Sequence, residues 1–517
     1  MSTRTVPHHL MLIGGEPVDS HRRMHLFDPG DERLIATVAQ GDASHVDTAV
    51  ATAKAAFECG TWSRATPQHR AAVMRRIATA AHHASDDLIE LEMACNGATI
   101  RLATGFHIGY ALSHFSYFAD LAETYAWQRP AQVQTFPVLS QSVVHREPIG
   151  VVGAITPWNF PLLLTIWKIG PALAAGNCVV VKPDEHTPLS ILEFARIAER
   201  NGLPPGVLNV VLGDGPEVGA RLASHPDVDK IAFTGSTAVG REIMRLASGT
   251  VKQVTLELGG KGPSIVLDDA DLELAVDGVL YGCFAYSGQI CESGTRALVP
   301  ATMHDEFVER LVARAATIVV GPTRDWETDL GPVIDATQHA RILSYIDGAR
   351  AAGAAVAHGG HAITGGDFDK GFWLAPTILT GVANDMTIAR EEVFGPVLVV
   401  IPYDGDEQAI AIANDSDYGL AASIWTSDNA RGLAMAERIQ AGSVWINDAH
   451  QINCRAPFGG YKQSGIGREL GPDALDAYTE VKTIHLDLSG GRAAKPYDVL
   501  LGNADNGDTS NDFGHAG

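Results

Sequence analysis

The sequence predicts an α/β protein with two lobes, each a largely parallel sheet covered by helices, plus a short β excursion. From Gly150 onward, short β-branched runs alternate with helix-length segments. A second alternation of the same kind follows Gly262. The chain has 517 residues, 46% of them hydrophobic, which is enough for more than one core.

In chain order, Ala43 to about Glu90 is helical by its Ala-rich periodic stretches, and Phe106 to Tyr125 carries aromatics at mixed helical spacing. That aromatic stripe is either core or the lining of a ligand tunnel. Ala131 to Glu147 turns β-like and partly alternating, a strand excursion from the helical region before it. The runs Val151–Ile155, Cys178–Lys182, Val207–Val211 and Lys230–Phe233 are strands of the first sheet, with helices opened by Pro188-Leu189-Ser190 and Pro216-Glu217-Val218. In the second lobe the strands are Ser264–Leu267, Arg296–Val299 and Val397–Ile401. Helices are expected from Val276 to Tyr281, from about Met303 to Ala316 and from about Thr337 to Ala352. Residues 490–517 are rich in Gly, Asn and Asp and read as a flexible tail, with Tyr497–Leu501 as an apolar patch.

Net charge is −23, which disfavours nucleic acid and anionic membranes as partners. The six Cys are scattered with no CxxC pair, so a reducing compartment is expected. No signal-peptide pattern opens the sequence and no apolar run reaches the ~18 residues of a membrane span, so the cytoplasm is the expected location. The twenty His show no ligand spacing, and no metal is expected.

Sheets of this kind bind ligands beyond the carboxyl ends of their strands, and the candidate motifs follow strands. After Ile155 comes Thr156–Pro161, in which Asn159 is either a helix cap or an amide donor aimed at an oxyanion. Lys182 and Glu185 follow the next strand, as a solvated turn or as a donor and acceptor for ribose hydroxyls. Asp184 adds negative charge there, which disfavours a 2′-phosphate. Gly235 and Ser236 open a helix, as a tight turn or a phosphate seat. Gly213-Asp214-Gly215 is weaker, and no GxGxxG follows a strand, so an ordinary Rossmann site is not indicated. Glu257 stands before a Gly pair, as a surface ion-pair partner or as a general base beside a nucleophile. Cys291, within Ser287–Arg296, is by default a small buried hydrophobe.

Together these stretches resemble the aldehyde dehydrogenase superfamily in its hydrolytic branch, from about Ala36 to about Leu486. The motifs stand in the family's order: those around Asn159 and Lys182, FTGS at Phe233–Ser236, ELGGK at Glu257–Lys261 and GQIC at Gly288–Cys291. Glu391–Pro396 and Pro457–Gly465 complete the series. The resemblance implies Cys291 as the nucleophile, Asn159 with the Cys291 backbone N–H as the oxyanion hole, and Glu257 as the base for water. It implies NAD as cofactor, with Lys182 and Glu185 on the adenosine ribose and Gly235 and Ser236 at the pyrophosphate. Trp158 joins the cofactor site, with Glu392 on the nicotinamide ribose and Phe394 against the nicotinamide. It divides the chain into an NAD-binding domain (1–130 and 149–259), a catalytic domain (260–465) and an oligomerisation arm (131–148 and 480–489). A homodimer or homotetramer follows.

The implied reaction oxidises an aldehyde to its carboxylic acid through a thiohemiacetal and a thioester on Cys291. Phe160, Trp167, Ile290, Ile452 and Phe458 would line the aldehyde tunnel. Neither Trp167 nor Ala285 is the Arg with which semialdehyde users grip a distal carboxylate, so apolar or aromatic aldehydes are favoured. Arg455 weakens that conclusion. Tyr286 stands where many relatives have Asn. The alternatives are a semialdehyde or betaine-type enzyme, a CoA-acylating enzyme, which the presence of Glu257 opposes, and a silent NAD-binding scaffold, which the presence of Cys291 and Glu257 opposes.

Overall fold

The structure, a computed structural model, describes residues 6–501. Two compact units separate: Tyr125–Glu147 with the chain from Thr479 onward, and the remainder. The larger unit is built on two large sheets, with a three-stranded and a two-stranded sheet beside them. The first has eight strands, its centre in the order Gln253–Glu257, Lys230–Thr234, Val151–Ile155, Cys178–Lys182 and Leu208–Val210, all parallel. The second has seven, with Thr377–Thr380, Val397–Tyr403, Arg296–Pro300, Pro263–Val266, Ala421–Trp425 and Ser443–Ile446 in parallel and Ala355–His358 antiparallel at one edge.

The central strands are buried throughout, as expected for a sheet covered on both faces. The helix Pro161–Ala175 is likewise buried along its whole length; proline opens it at its first turn and left-handed Gly176 closes it. The expected helices of the second lobe run Leu272–Phe284, His304–Ala315 and Ala336–Ala351. Strands at both ends of the first sheet escaped the sequence reading. Met11–Ile13 pairs antiparallel with Leu208–Val210 on one side and with the edge strand Glu16–Val18 on the other, and three apolar residues are too short a run for a period to register. At the opposite edge Gly465–Ile466 pairs antiparallel with Gln253–Glu257, carrying the end of the Pro457–Gly465 motif to the strand that bears Glu257.

The smaller unit contains a three-stranded sheet in the order Thr479–Asp487, Ser140–Pro148, Gln128–Pro130. It begins earlier than the excursion read from the sequence, because Gln128–Pro130 pairs with Val143–His145 despite lacking an apolar pattern. Of the expected flexible tail, residues 502–517 lie outside the described residues. Asp498–Leu501 forms a helical turn with Val499, Leu500 and Leu501 exposed. Among the described residues no helix is long and apolar enough to cross a membrane, and no group of three metal-ligating side chains occurs.

Candidate active site

The segment leading to Cys291 leaves the helix Leu272–Phe284 and turns through three consecutive left-handed residues, Tyr286, Ser287 and Gly288. For Tyr286 and Ser287 this conformation costs on the order of 1–3 kcal/mol each. Their side chains hold it: the Tyr286 hydroxyl donates to the Asn96 carbonyl at 3.0 Å and Ser287 Oγ to the Gly331 carbonyl at 2.7 Å. At Gly288 a Cβ would strike the Gly395 carbonyl, so this position requires glycine on space as well as on φ. Gln289 is pinned from two sides, since its Oε1 accepts from the Ile334 N–H and its carbonyl accepts from Asn159 Nδ2, each at 2.9 Å. Asn159 is therefore tied directly to the loop that carries the thiol.

Cys291 borders two cavities. One is apolar, walled by Phe160, Trp167, Ile290, Ile452 and Phe458, with Glu257 and Glu292 also on its surface. Its aromatics interlock edge to face, Trp167 on Phe458 at 5.1 Å and Phe160 on Tyr286 at 5.4 Å between centroids. Trp167 Nε1 donates to His114 Nδ1 at 2.9 Å, which leaves the indole face for packing. The other cavity is lined by Trp158, Asn159, Gly235, Ser236, Glu392 and Phe394. Here Trp158 meets Phe394 edge to face at 5.3 Å, and Glu392 accepts from the Gly260 N–H at 2.9 Å. A Cβ on Gly259 would run into the Glu392 carboxylate, so the bare backbone lets that side chain approach. Burial pushes the Glu392 carboxyl up to about 7.

Glu257 ends its strand with both carboxylate oxygens buried and without a hydrogen-bond donor among the described residues. Desolvation, then the nearby charge of Glu469, holds its carboxyl well above the usual range. Beneath it, Lys168 and Glu469 form a buried ion pair at 2.8 Å, and Lys168 also donates to Thr234 Oγ1 at 2.6 Å. The Cys291 thiol is pushed up first by burial and then by the charge and hydrogen bond of Glu292, whose Oε2 accepts from Sγ at 3.1 Å.

The aldehyde dehydrogenase family's sequence profile matches residues 17–484. The chain belongs to this family. Betaine aldehyde dehydrogenase of Bacillus subtilis (strain 168) is 42% identical over 478 residues, covering 92% of this chain and 96% of that protein. Mitochondrial aldehyde dehydrogenase of Homo sapiens is 43% identical over 469 residues, 90% of this chain and 89% of that one. Among solved structures, betaine aldehyde dehydrogenase of Staphylococcus aureus in complex with NAD+ superposes with a TM-score of 0.91 at 39% identity, covering 93% of this chain and 95% of that one. The NAD+ complex of an aldehyde dehydrogenase from Bacillus cereus gives 0.90 at 41%, with 93% and 97% covered.

Against this family background, the residues singled out in the sequence separate into those the fold gathers and those it does not. Cys291, Asn159 and Glu257 border the two cavities, as do the five apolar residues and Trp158, Gly235, Ser236, Glu392 and Phe394. Lys182 and Glu185 lie elsewhere, paired with each other at 2.9 Å and outside the lining of either cavity. Asp184 is bound by His186 at 2.8 Å, and Asp184 and Asp335 together push that imidazole up to about 10, so the extra negative charge at this turn is offset. Ser236 is both cap and turn: its Oγ accepts from the Val239 N–H at 3.3 Å while the residue lines the second cavity. Arg455 stacks over Tyr117 at 5.5 Å and does not line the apolar cavity, which removes the objection raised on its account. Sequence reading missed Glu292, His450, Lys168 and Glu469. Glu292 carried a signal, a carboxylate adjoining the candidate nucleophile; the other three come from distant segments with no spacing to mark them.

Proposed function

We propose that Cys291, Asn159 and Glu257 carry out the oxidation of an apolar or aromatic aldehyde to its carboxylic acid, with NAD as acceptor. The observation that carries this reading is the position of one thiol between an apolar cavity, able to seat an aldehyde, and a second, more polar cavity lined by Gly235, Ser236, Gly259, Trp158, Phe394 and Glu392. The second cavity fits a dinucleotide: Gly235 and Ser236 open the helix Thr237–Ala247, whose N-terminal N–H groups suit a pyrophosphate. Glu392 would accept from the nicotinamide ribose, with Trp158 and Phe394 beside the nicotinamide. Lys182 and Glu185, already a donor–acceptor pair, would hold the adenosine ribose. The chemistry supplied there by bound NAD is acceptance of hydride from the substrate carbon.

The chain's own groups do the rest. Cys291 Sγ attacks the carbonyl carbon, and the second Asn159 N–H with the Cys291 backbone N–H stabilises the oxyanion. The thioester left after hydride loss is attacked by water, whose proton passes to the Glu257 carboxylate; burial raises that carboxylate's affinity for the proton. Glu257 also favours water over CoA as the thioester acceptor. In this reading the three-stranded unit joins chains as a homodimer or homotetramer, and the free thiols suit a cytoplasmic location. NADH absorbance with a panel of benzaldehyde, long-chain, betaine-type and semialdehyde substrates tests the proposal. Turnover fastest with apolar or aromatic members supports it; folded protein that binds NAD and oxidises none of them overturns it.

A further inference from the structure

Glu257 and Cys291 share a cavity, yet the carboxylate in contact with the thiol is Glu292. Its Oε2 accepts from Sγ at 3.1 Å, and its Oε1 meets His450 Nδ1 at 3.2 Å. His450 Nε2 in turn lies 3.1 Å from the Gly282 carbonyl. Both ring nitrogens thus face acceptors, an arrangement that only the doubly protonated ring satisfies in full. The ring is 4% exposed and packs edge to face on Tyr281 at 5.4 Å. His450 is also held at φ +60°, a backbone region that residues other than glycine rarely adopt, so the fold bears strain to place this imidazole.

We propose that Glu292 is the base that takes the Sγ proton of Cys291, with His450 as the positioning residue that anchors its carboxylate. This rests on the function proposed above and divides it between two carboxylates, Glu292 for acylation and Glu257 for hydrolysis. In the first step the Sγ–H bond breaks, the proton moves to Glu292 Oε2, and the sulfur pair forms the bond to the carbonyl carbon while the C=O π pair moves to oxygen. When the thioester is hydrolysed, the departing thiolate retakes that proton, and both groups return to their starting state. The ionisable groups facing the pair are Glu257 and Glu392 beside Cys291 and Tyr281 beside Glu292, with Tyr110 and Asp448 acting on Tyr281 in turn. Burial by itself would raise the Glu292 carboxyl, but the bond and charge of His450, the bond from Cys291 Sγ and a backbone bond together outweigh it and hold the group below its ordinary value. A charged carboxylate beside Sγ is therefore available across the neutral range.

The burst of NADH in the first turnover decides the matter by its sign. A carboxylate that is only a charged neighbour makes thiolate scarcer, so Glu292→Gln would speed the burst. A carboxylate that takes the proton makes the same variant slow it, by about 10²-fold at pH 7. A burst at or above the wild-type rate overturns the proposal. His450→Gln gives a second reading: loss of the anchor raises the Glu292 carboxyl, and the acid limb of the burst moves to higher pH. An unmoved limb overturns the role of His450, and this variant decides the question if Glu292→Gln does not fold. In NAD-free protein, the pH midpoint for alkylation of Cys291 by iodoacetamide, followed by mass spectrometry, moves down in Glu292→Gln; an unmoved midpoint overturns the contact itself. Wild-type protein that forms no NADH with any aldehyde counts against the proposed function, whereas a normal burst left unslowed by the variant counts against this inference alone.

Discussion

The two cavities that meet at Cys291 are built in opposite ways. On the apolar side the walls are large side chains from elements far apart in sequence, Phe160 and Trp167 before the first sheet is complete and Ile452 and Phe458 after the second. On the other side strand ends, two glycines and a helix start supply part of the lining beside Trp158 and Phe394, with Glu392 admitted by the bare Gly259 backbone. Where bare backbone forms the surface, as at Gly235 and Gly259, few substitutions of any size fit, whereas a wall of apolar side chains is reshaped by each one. Under the proposed function the contrast places selectivity on the apolar wall and the shared chemistry on the other.

The strongest test of this division removes the atom common to both cavities. Cys291→Ala is expected to lower kcat by on the order of 10⁶, the size found when a nucleophile leaves a catalytic unit, without loss of NAD affinity measured by fluorescence titration. Asn159→Ala should cost roughly 10²–10³ in kcat for every aldehyde alike. A loss confined to bulky aldehydes would place Asn159 on the selective wall instead. Ile452→Val is expected to lower kcat/KM roughly 10-fold for large apolar aldehydes and to leave small ones unaffected; uniform loss would erase the contrast between the two sides.

A smaller effect reports the state of Glu257. Burial raises its carboxyl, so the folded chain retains a proton that the unfolded chain releases, and stability falls as pH rises from the ordinary carboxyl value through the raised one. Glu257→Gln should therefore gain more in Tm at pH 8 than at pH 5, and equal gains would mean that Glu257 is not held in its protonated form. The smallest effect belongs to Ser236→Ala, which removes a helix cap worth about 1 kcal/mol and raises the KM for NAD, with the aldehyde KM unchanged.

Legibility followed the same contrast. Cys291, Asn159, Glu257 and Ser236 could be singled out because each sits in a contiguous stretch whose neighbours are constrained by a turn, a strand end or a close backbone approach. Glu292 was visible but unassigned, since adjacency to Cys291 does not say which way a side chain turns. His450 and the Lys168–Glu469 pair left no trace, because their partners are brought to them only by the packing of separate segments. The N-terminal strand Met11–Ile13 was equally hidden: three apolar residues have no period until a neighbouring strand supplies one.

By itself the sequence determined the α/β alternation, the order of the motifs and the choice of Cys291 as the candidate thiol, because these depend on local backbone requirements and on residues adjacent along the chain. Only the tertiary structure decided which carboxylate touches that thiol, that Asp184 is offset by His186, and that Arg455 stays off the apolar wall. Those are questions of distance between groups far apart in sequence or free to turn either way, and distance is set when the layers pack.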